Sequence, residues 1–180
     1  MNPPDEMGYD VAFIYDAFGG DLRVWYALDF NGDGTVDTSS PDEFGVYAEN
    51  MMFPDSDDPG ELAFPVGIAM DGYDVLFCDG NCYRGSAGDS VITVWEKIWD
   101  RTEAKMPDGS PVAGGFSGFD IKLHDGEIWM TNQDLNGFPN GIVRLRDVDG
   151  DGKANSVGET HIWTDEFVDK ARAIDVYGSD

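Results

Sequence analysis

Apolar and polar positions alternate along residues 22–29, LRVWYALD: Leu22, Val24, Tyr26 and Leu28 share one face, Arg23, Trp25 and Ala27 the other. A period of two predicts a half-buried β-strand. Short runs of similar character recur along the chain, separated by turns rich in Gly, Asp and Asn. GIAM (67–70), GFDI (118–121) and AIDV (173–176) are alike, spaced by 51 and 55 residues. After a turn comes a second run, VLFCD from Val75 and IWMTN from Ile128, and VAFIYD from Val11 reads as its counterpart in an earlier unit. A third run follows as LRVWYALD, VITVWEKIW (91–99) and IVRLRD (142–147), and a fourth as FGVYAE (44–49) and THIWTDE (160–166). Helix is scarce: DEFVDKAR (165–172) and, more weakly, RTEAKM (101–106) are the candidates.

Units of about four short strands in roughly 50 residues predict an all-β chain built as a β-propeller-like array of about three four-stranded blades. We read residues 1–180 as one domain with repeat units at 9–50, 65–100 and 118–166, and 173–178 as a closing first strand. The chain opens on a second strand and ends on a first, so AIDV would complete the blade that the N-terminus begins. Three blades fall short of the usual four to eight. Two chains sharing a ring, a segment of a longer protein, or an irregular stack each account for this.

Charge changes the picture of partners. Thirty-six acids against 11 Lys and Arg give a formal net charge of −25. Such a surface repels nucleic acid and anionic lipid, and suits divalent cations. A solubility adaptation to salty surroundings is the alternative. No apolar run approaches a membrane span. The first ten residues, MNPPDEMGYD, have neither the basic nor the apolar region of an uncleaved signal peptide. Cys78 and Cys82 stand close together in CDGNC, as a local disulfide or as two free thiols.

Two segments carry the candidate chemistry. DFNGDGTVD (29–37) and DVDGDGKAN (147–155) place an acid or amide at positions 1, 3 and 5, glycine at 6 and a further polar residue at 9. Calcium takes six to eight oxygen ligands, and such a loop supplies side chains from 1, 3, 5 and 9 and the carbonyl of 7. The candidate ligands are Asp29, Asn31, Asp33, Thr35 and Asp37 in the first loop. In the second they are Asp147, Asp149, Asp151, Lys153 and Asn155, with Thr35 and Lys153 acting through the backbone. The bidentate Glu of an EF-hand at position 12 is missing: Ser40 and Gly158 stand there. Glu159 is one place later, Asp42 and Glu43 two and three; any of these could swing in to take that place, and Glu159 is counted among the candidate ligands. Strands on both flanks also argue against helix–loop–helix. Two calcium sites between strands are expected, with metal-free Asp/Asn-Gly turns as the alternative. NQDLNG (132–137) has one carboxylate and reads as a polar loop, as does DSDD (55–58).

The runs GIVRLRDVDGDGKANSVGE, FPVGIAMDGYDVLFCD and GFDIKLHDGEIWMTN resemble blades of the sorbosone/glucose dehydrogenase-like β-propellers over most of residues 9–178. Calcium propellers of the FG-GAP type share DxNGDGxxD with Asp29–Asp37. The first resemblance implies pyrroloquinoline quinone, calcium and a His general base. In that group a His often precedes the Gly-rich entry to a first strand, and the comparable stretch here, VAGGFSGFDI (112–121), has none. His124 falls in a hairpin turn and His161 on a fourth strand. Arg144 and Arg146 share a strand face. GFSGF around Ser117 lacks the strand-to-helix setting of a nucleophile elbow. Trp25, Trp95, Trp99, Trp129 and Trp163 lie in or beside strands and are expected mostly in packing.

No catalytic residue is assigned. The expected function is a calcium-binding, calcium-stabilised binding or scaffold module, extracellular, at the cell surface or periplasmic. Its expected partners are a second copy or neighbouring blades of a larger assembly, and carbohydrate; nucleic acid and membrane insertion are not expected. The alternative is a calcium-dependent quinoprotein sugar dehydrogenase or a subunit of one.

Overall fold

A computed structural model describes residues 11–16, 22–51, 54, 67–88, 90–112, 118–132, 141–164 and 173–176. Among these residues the chain is all-β, with eleven strands in three antiparallel sheets. It divides into two compact units, 1–64 with 85–95, and 65–84 with 96–180.

The first unit holds β1 (Val11–Asp16), β2 (Arg23–Leu28) and β3 (Phe44–Ala48), in that spatial order. The alternation of LRVWYALD is realised: Leu22, Val24, Tyr26 and Leu28 are buried, and Arg23, Trp25 and Ala27 are half-buried. Ile92 joins β3 in parallel, donating its N–H to Tyr47 O and accepting that of Glu49. The indole N–H of Trp95 donates to Glu49 O at 2.9 Å. Glycine is required at position 85, where a Cβ would fall on Ile92 and lie 2.7 Å from Trp95 Cζ3.

The second unit holds two four-stranded sheets. One is β4 (Ile68–Asp71), β5 (Asp74–Asp79), β6 (Asn81–Gly85) and β7 (Glu96–Trp99), in chain order; Gly85 itself clusters with the first unit. The other is β8 (Gly118–His124), β9 (Glu127–Asn132), β10 (Gly141–Leu145) and β11 (Thr160–Thr164), again a meander. β8 lies against β4 and β5. Leu76, Cys78, Ile98 and Trp99 from the first sheet share one core with Ile121, Met130, Val143 and Leu145 from the second. Trp99 is fully buried and donates its indole N–H to Thr160 Oγ1 at 2.9 Å, so its polar edge is satisfied inside the core. Cys78 and Cys82 are joined as a disulfide across the β5–β6 turn.

Several expectations change. A strand not read from the sequence, β6, starts inside CDGNC at Asn81, and its near-continuous burial leaves no alternation to read. VITVWEKIW is not one strand. Ile92 bridges β3, Val94 is 77% exposed, and only Glu96–Trp99 pairs with β6. RTEAKM is not helical. Ala104 N donates to Asp100 O for a single turn, and Lys105 then bridges Pro111. Pro107 disfavours helical backbone at Met106. AIDV (173–176) forms no strand; Ile174 N donates to the Asp120 carboxylate at 3.0 Å instead of to a ladder. DEFVDKAR, DSDD, Ser117 and NQDLNG beyond Asn132 lie outside the described residues.

Candidate metal loops

Both acidic segments connect the last two strands of their sheets in chain order: 29–37 leaves β2 toward β3, and 147–155 leaves β10 toward β11. Each opens from the same ladder position. Leu28 N donates to Glu43 O and Arg146 N to Glu159 O, both at 2.9 Å. Glu43 and Glu159 are therefore equivalent, each immediately preceding the last strand of its sheet.

The local folding is also the same. The carboxylate at position 1 gathers backbone donors ahead of it. Asp29 accepts Gly32 N and Gly34 N at 2.7 Å, and Asp147 accepts Gly150 N at 2.7 Å and Gly152 N at 2.9 Å. Glycine at position 6 has φ +85° in the first loop and +86° in the second, a left-handed turn that side chains resist. Asp33 N donates to Asn31 Oδ1 and Asp151 N to Asp149 Oδ1; Thr35 N and Lys153 N donate to the carboxylates of Asp33 and Asp151.

In the second loop, oxygens of Asp147, Asp149 and Asp151 lie within 4.8 Å of one another, all three residues exposed. Hard oxygen donors in such a group fit calcium or magnesium and not a soft metal. Each carboxylate oxygen has two lone pairs, so its backbone bond leaves capacity for a cation. The residues of the second loop thus fit a hard divalent ion at positions 1, 3 and 5, with the carbonyl of Lys153 as the further expected donor.

The remaining sequence candidates also hold backbone or side-chain donors. Asp37 accepts the N–H and hydroxyl of Ser39 at 2.9 and 2.7 Å. Asn155 turns to the 100–105 turn, its Oδ1 accepting Asp100 N at 2.8 Å and its carbonyl accepting Lys105 N at 3.1 Å. Glu159 is buried, and its carboxylate accepts Val148 N, Asp149 N and Ser156 N at 2.9, 3.2 and 2.6 Å. It pins the loop backbone instead of reaching into the carboxylate group. Glu43 does the same more simply, accepting Asp37 N at 2.7 Å. Counting forward from the first Asp hides this equivalence, because the first loop is two residues longer. Counting back from the strand that follows reveals it.

The Thr35 hydroxyl and N–H hold Asp33 below the ordinary aspartate pKa, and the Ser39 hydroxyl and N–H do the same for Asp37. A lowered carboxylate pKa means that the bonds are fully present above the unfolded value and are lost as pH falls through the folded one. In metal-free protein, the side-chain carboxyl carbons of Asp33 and Asp37 should therefore titrate at lower pH than an unstructured Asp. Carboxyl ¹³C NMR would measure this, and ordinary midpoints would contradict it.

His124 ends β8 beside Asp125, and His161 is exposed on β11. Arg144 and Arg146 both lie 3.7 Å from the carboxylate of Glu127. No protein family, curated protein or solved structure matches the chain.

Proposed function

We propose that this chain is a calcium-binding, calcium-stabilised, β-propeller-like module with a binding or scaffold role outside the reducing cytoplasm. The observation that carries the reading is the convergence of Asp147, Asp149 and Asp151 in a loop whose backbone pattern recurs at Asp29–Thr35. Four-stranded meanders at the expected spacing support the blade-like part. The Cys78–Cys82 disulfide supports an oxidising compartment. Each ion would fix one turn between the last two strands of a sheet and offset the mutual repulsion of its carboxylates. A quinoprotein reading draws little from the described cations, since Arg144 and Arg146 share Glu127.

Isothermal titration of metal-free protein with calcium should reveal two sites. Asp33→Asn and Asp151→Asn should each remove one and leave the other. No saturable heat overturns the proposal, as does dye-linked sugar oxidation after reconstitution with calcium and the quinone.

A further inference from the structure

Two lines of contacts run from the Cys78–Cys82 disulfide to the far end of the second acidic loop. Both cysteines are buried in the core that the two sheets of the second unit share. Only Asp79, Gly80 and Asn81 lie between them, with Gly80 at φ +73°. The first line runs through the turn at 100–105. Asn81 is buried, and its Oδ1 accepts Arg101 N at 3.1 Å. The adjoining Asp100 N donates to Asn155 Oδ1 at 2.8 Å, and Lys105 N to Asn155 O at 3.1 Å. The second line runs through side chains. Cys82 is the ladder partner of Trp99, whose indole N–H donates to Thr160 Oγ1 at 2.9 Å. That hydroxyl donates to Ala154 O at 3.3 Å, and Ala154 N closes on Ile98 O at 2.8 Å.

The turn between the two ends is stiff. The Asp100 carboxylate accepts the N–H and hydroxyl of Thr102 at 2.8 and 2.7 Å, and the Asp100 carbonyl accepts Ala104 N at 2.8 Å. Ala104 is fully buried in the same core as the disulfide. A stiff element held at both ends passes a change at one end to the other. The first acidic loop is built differently: the described hydrogen bonds of residues 29–37 close within 29–43.

We infer that the Cys78–Cys82 bond is a redox-sensitive latch on the acidic 147–155 loop, closed when oxidised. A small dithiol opens it. The reagent gives up two electrons and two protons as its own S–S bond forms, and Cys78 and Cys82 become two thiols. Opening frees the 79–81 turn, so Asn81 no longer holds Arg101 in a fixed place. The 100–105 turn then loosens, and with it the two bonds that seat Asn155. The inference concerns the loop backbone in metal-free protein, so it stands or falls separately from calcium binding.

Amide hydrogen exchange in the metal-free full chain, read by NMR, provides the test. Dithiothreitol should speed exchange at Asp100, Arg101, Lys105 and Ala154 by about tenfold or more beyond any change in the β9–β10 ladder. Gly32 and Gly34, whose N–H groups are held by Asp29 in the first loop, should keep their rates. Asn81→Ala leaves the disulfide in place and should speed exchange at Asp100, Arg101 and Lys105 without reductant. Unchanged rates at Lys105 and Ala154 on reduction overturn the inference, as does an Asn81→Ala variant that exchanges like the unaltered protein. Equal acceleration across the second unit overturns it too, because that marks a general loss of stability. A disulfide that resists dithiothreitol in the folded protein also overturns it, since the latch would then never open.

Discussion

Saturating calcium should raise the melting temperature of the metal-free protein by about 5–10 °C per occupied unit. A ligand at a hundredfold its Kd stabilises the folded state by about 2.7 kcal/mol, and 1 kcal/mol moves the midpoint of a chain this size by about 2–4 °C. The unfolded chain holds no such loop, so binding favours the fold alone. Asp29–Thr35 lies in the first compact unit and Asp147–Lys153 in the second. Asp33→Asn should therefore reduce the calcium response of the first unit, and Asp151→Asn that of the second. General screening of a −25 chain would also stabilise it, but sodium chloride at matched ionic strength reproduces screening and not site binding. Magnesium should do less than calcium, since it dehydrates reluctantly and demands stricter geometry. A melting curve unchanged by chelator, or equalled in sodium chloride, contradicts the metal reading.

Much of the β architecture was legible because one-faced burial writes a period of two, as in residues 22–28, where four buried positions alternate with three half-buried ones. Where both faces are covered, the signal disappears. Asn81–Gly85 buries four of its five residues, and only its partners on β5 and β7 define it as a strand. VITVWEKIW reads as a continuous apolar strand, yet its ends pair with different sheets, and pairing between sheets leaves no local mark. The acidic loops show the same division. Positions 1 to 6 are local chemistry, and the sequence pattern carries them. The directions of Asn155 and Glu159 depend on what packs beside the loop. Asn155 finds Asp100 N, 55 residues away in sequence, and no pattern within the loop encodes that.

Replacing Glu159 should destabilise the protein even when no metal is present. Its carboxylate is buried and accepts three backbone N–H groups, from Val148, Asp149 and Ser156. Alanine would leave these donors without their acceptor, and each orphaned donor costs about 1–3 kcal/mol when water cannot replace it. The sites are only partly buried, so water would recover part of the loss. We expect about 3 kcal/mol in all, and a melting temperature lower by roughly 6–12 °C. Glu159→Gln keeps the shape and one acceptor oxygen but aims an NH₂ group at backbone donors, so it should fall between alanine and the unaltered protein. Glu43→Ala should cost less, about 1–2 kcal/mol, because the carboxylate there holds Asp37 N alone among the bonds described. Melting in chelator decides the role of Glu159. A residue that acted only as a metal ligand would make Glu159→Ala and the unaltered protein melt alike once calcium is removed. A residue that pins the loop keeps them apart in chelator and in calcium, and equal curves in chelator would show that the carboxylate does not hold the backbone.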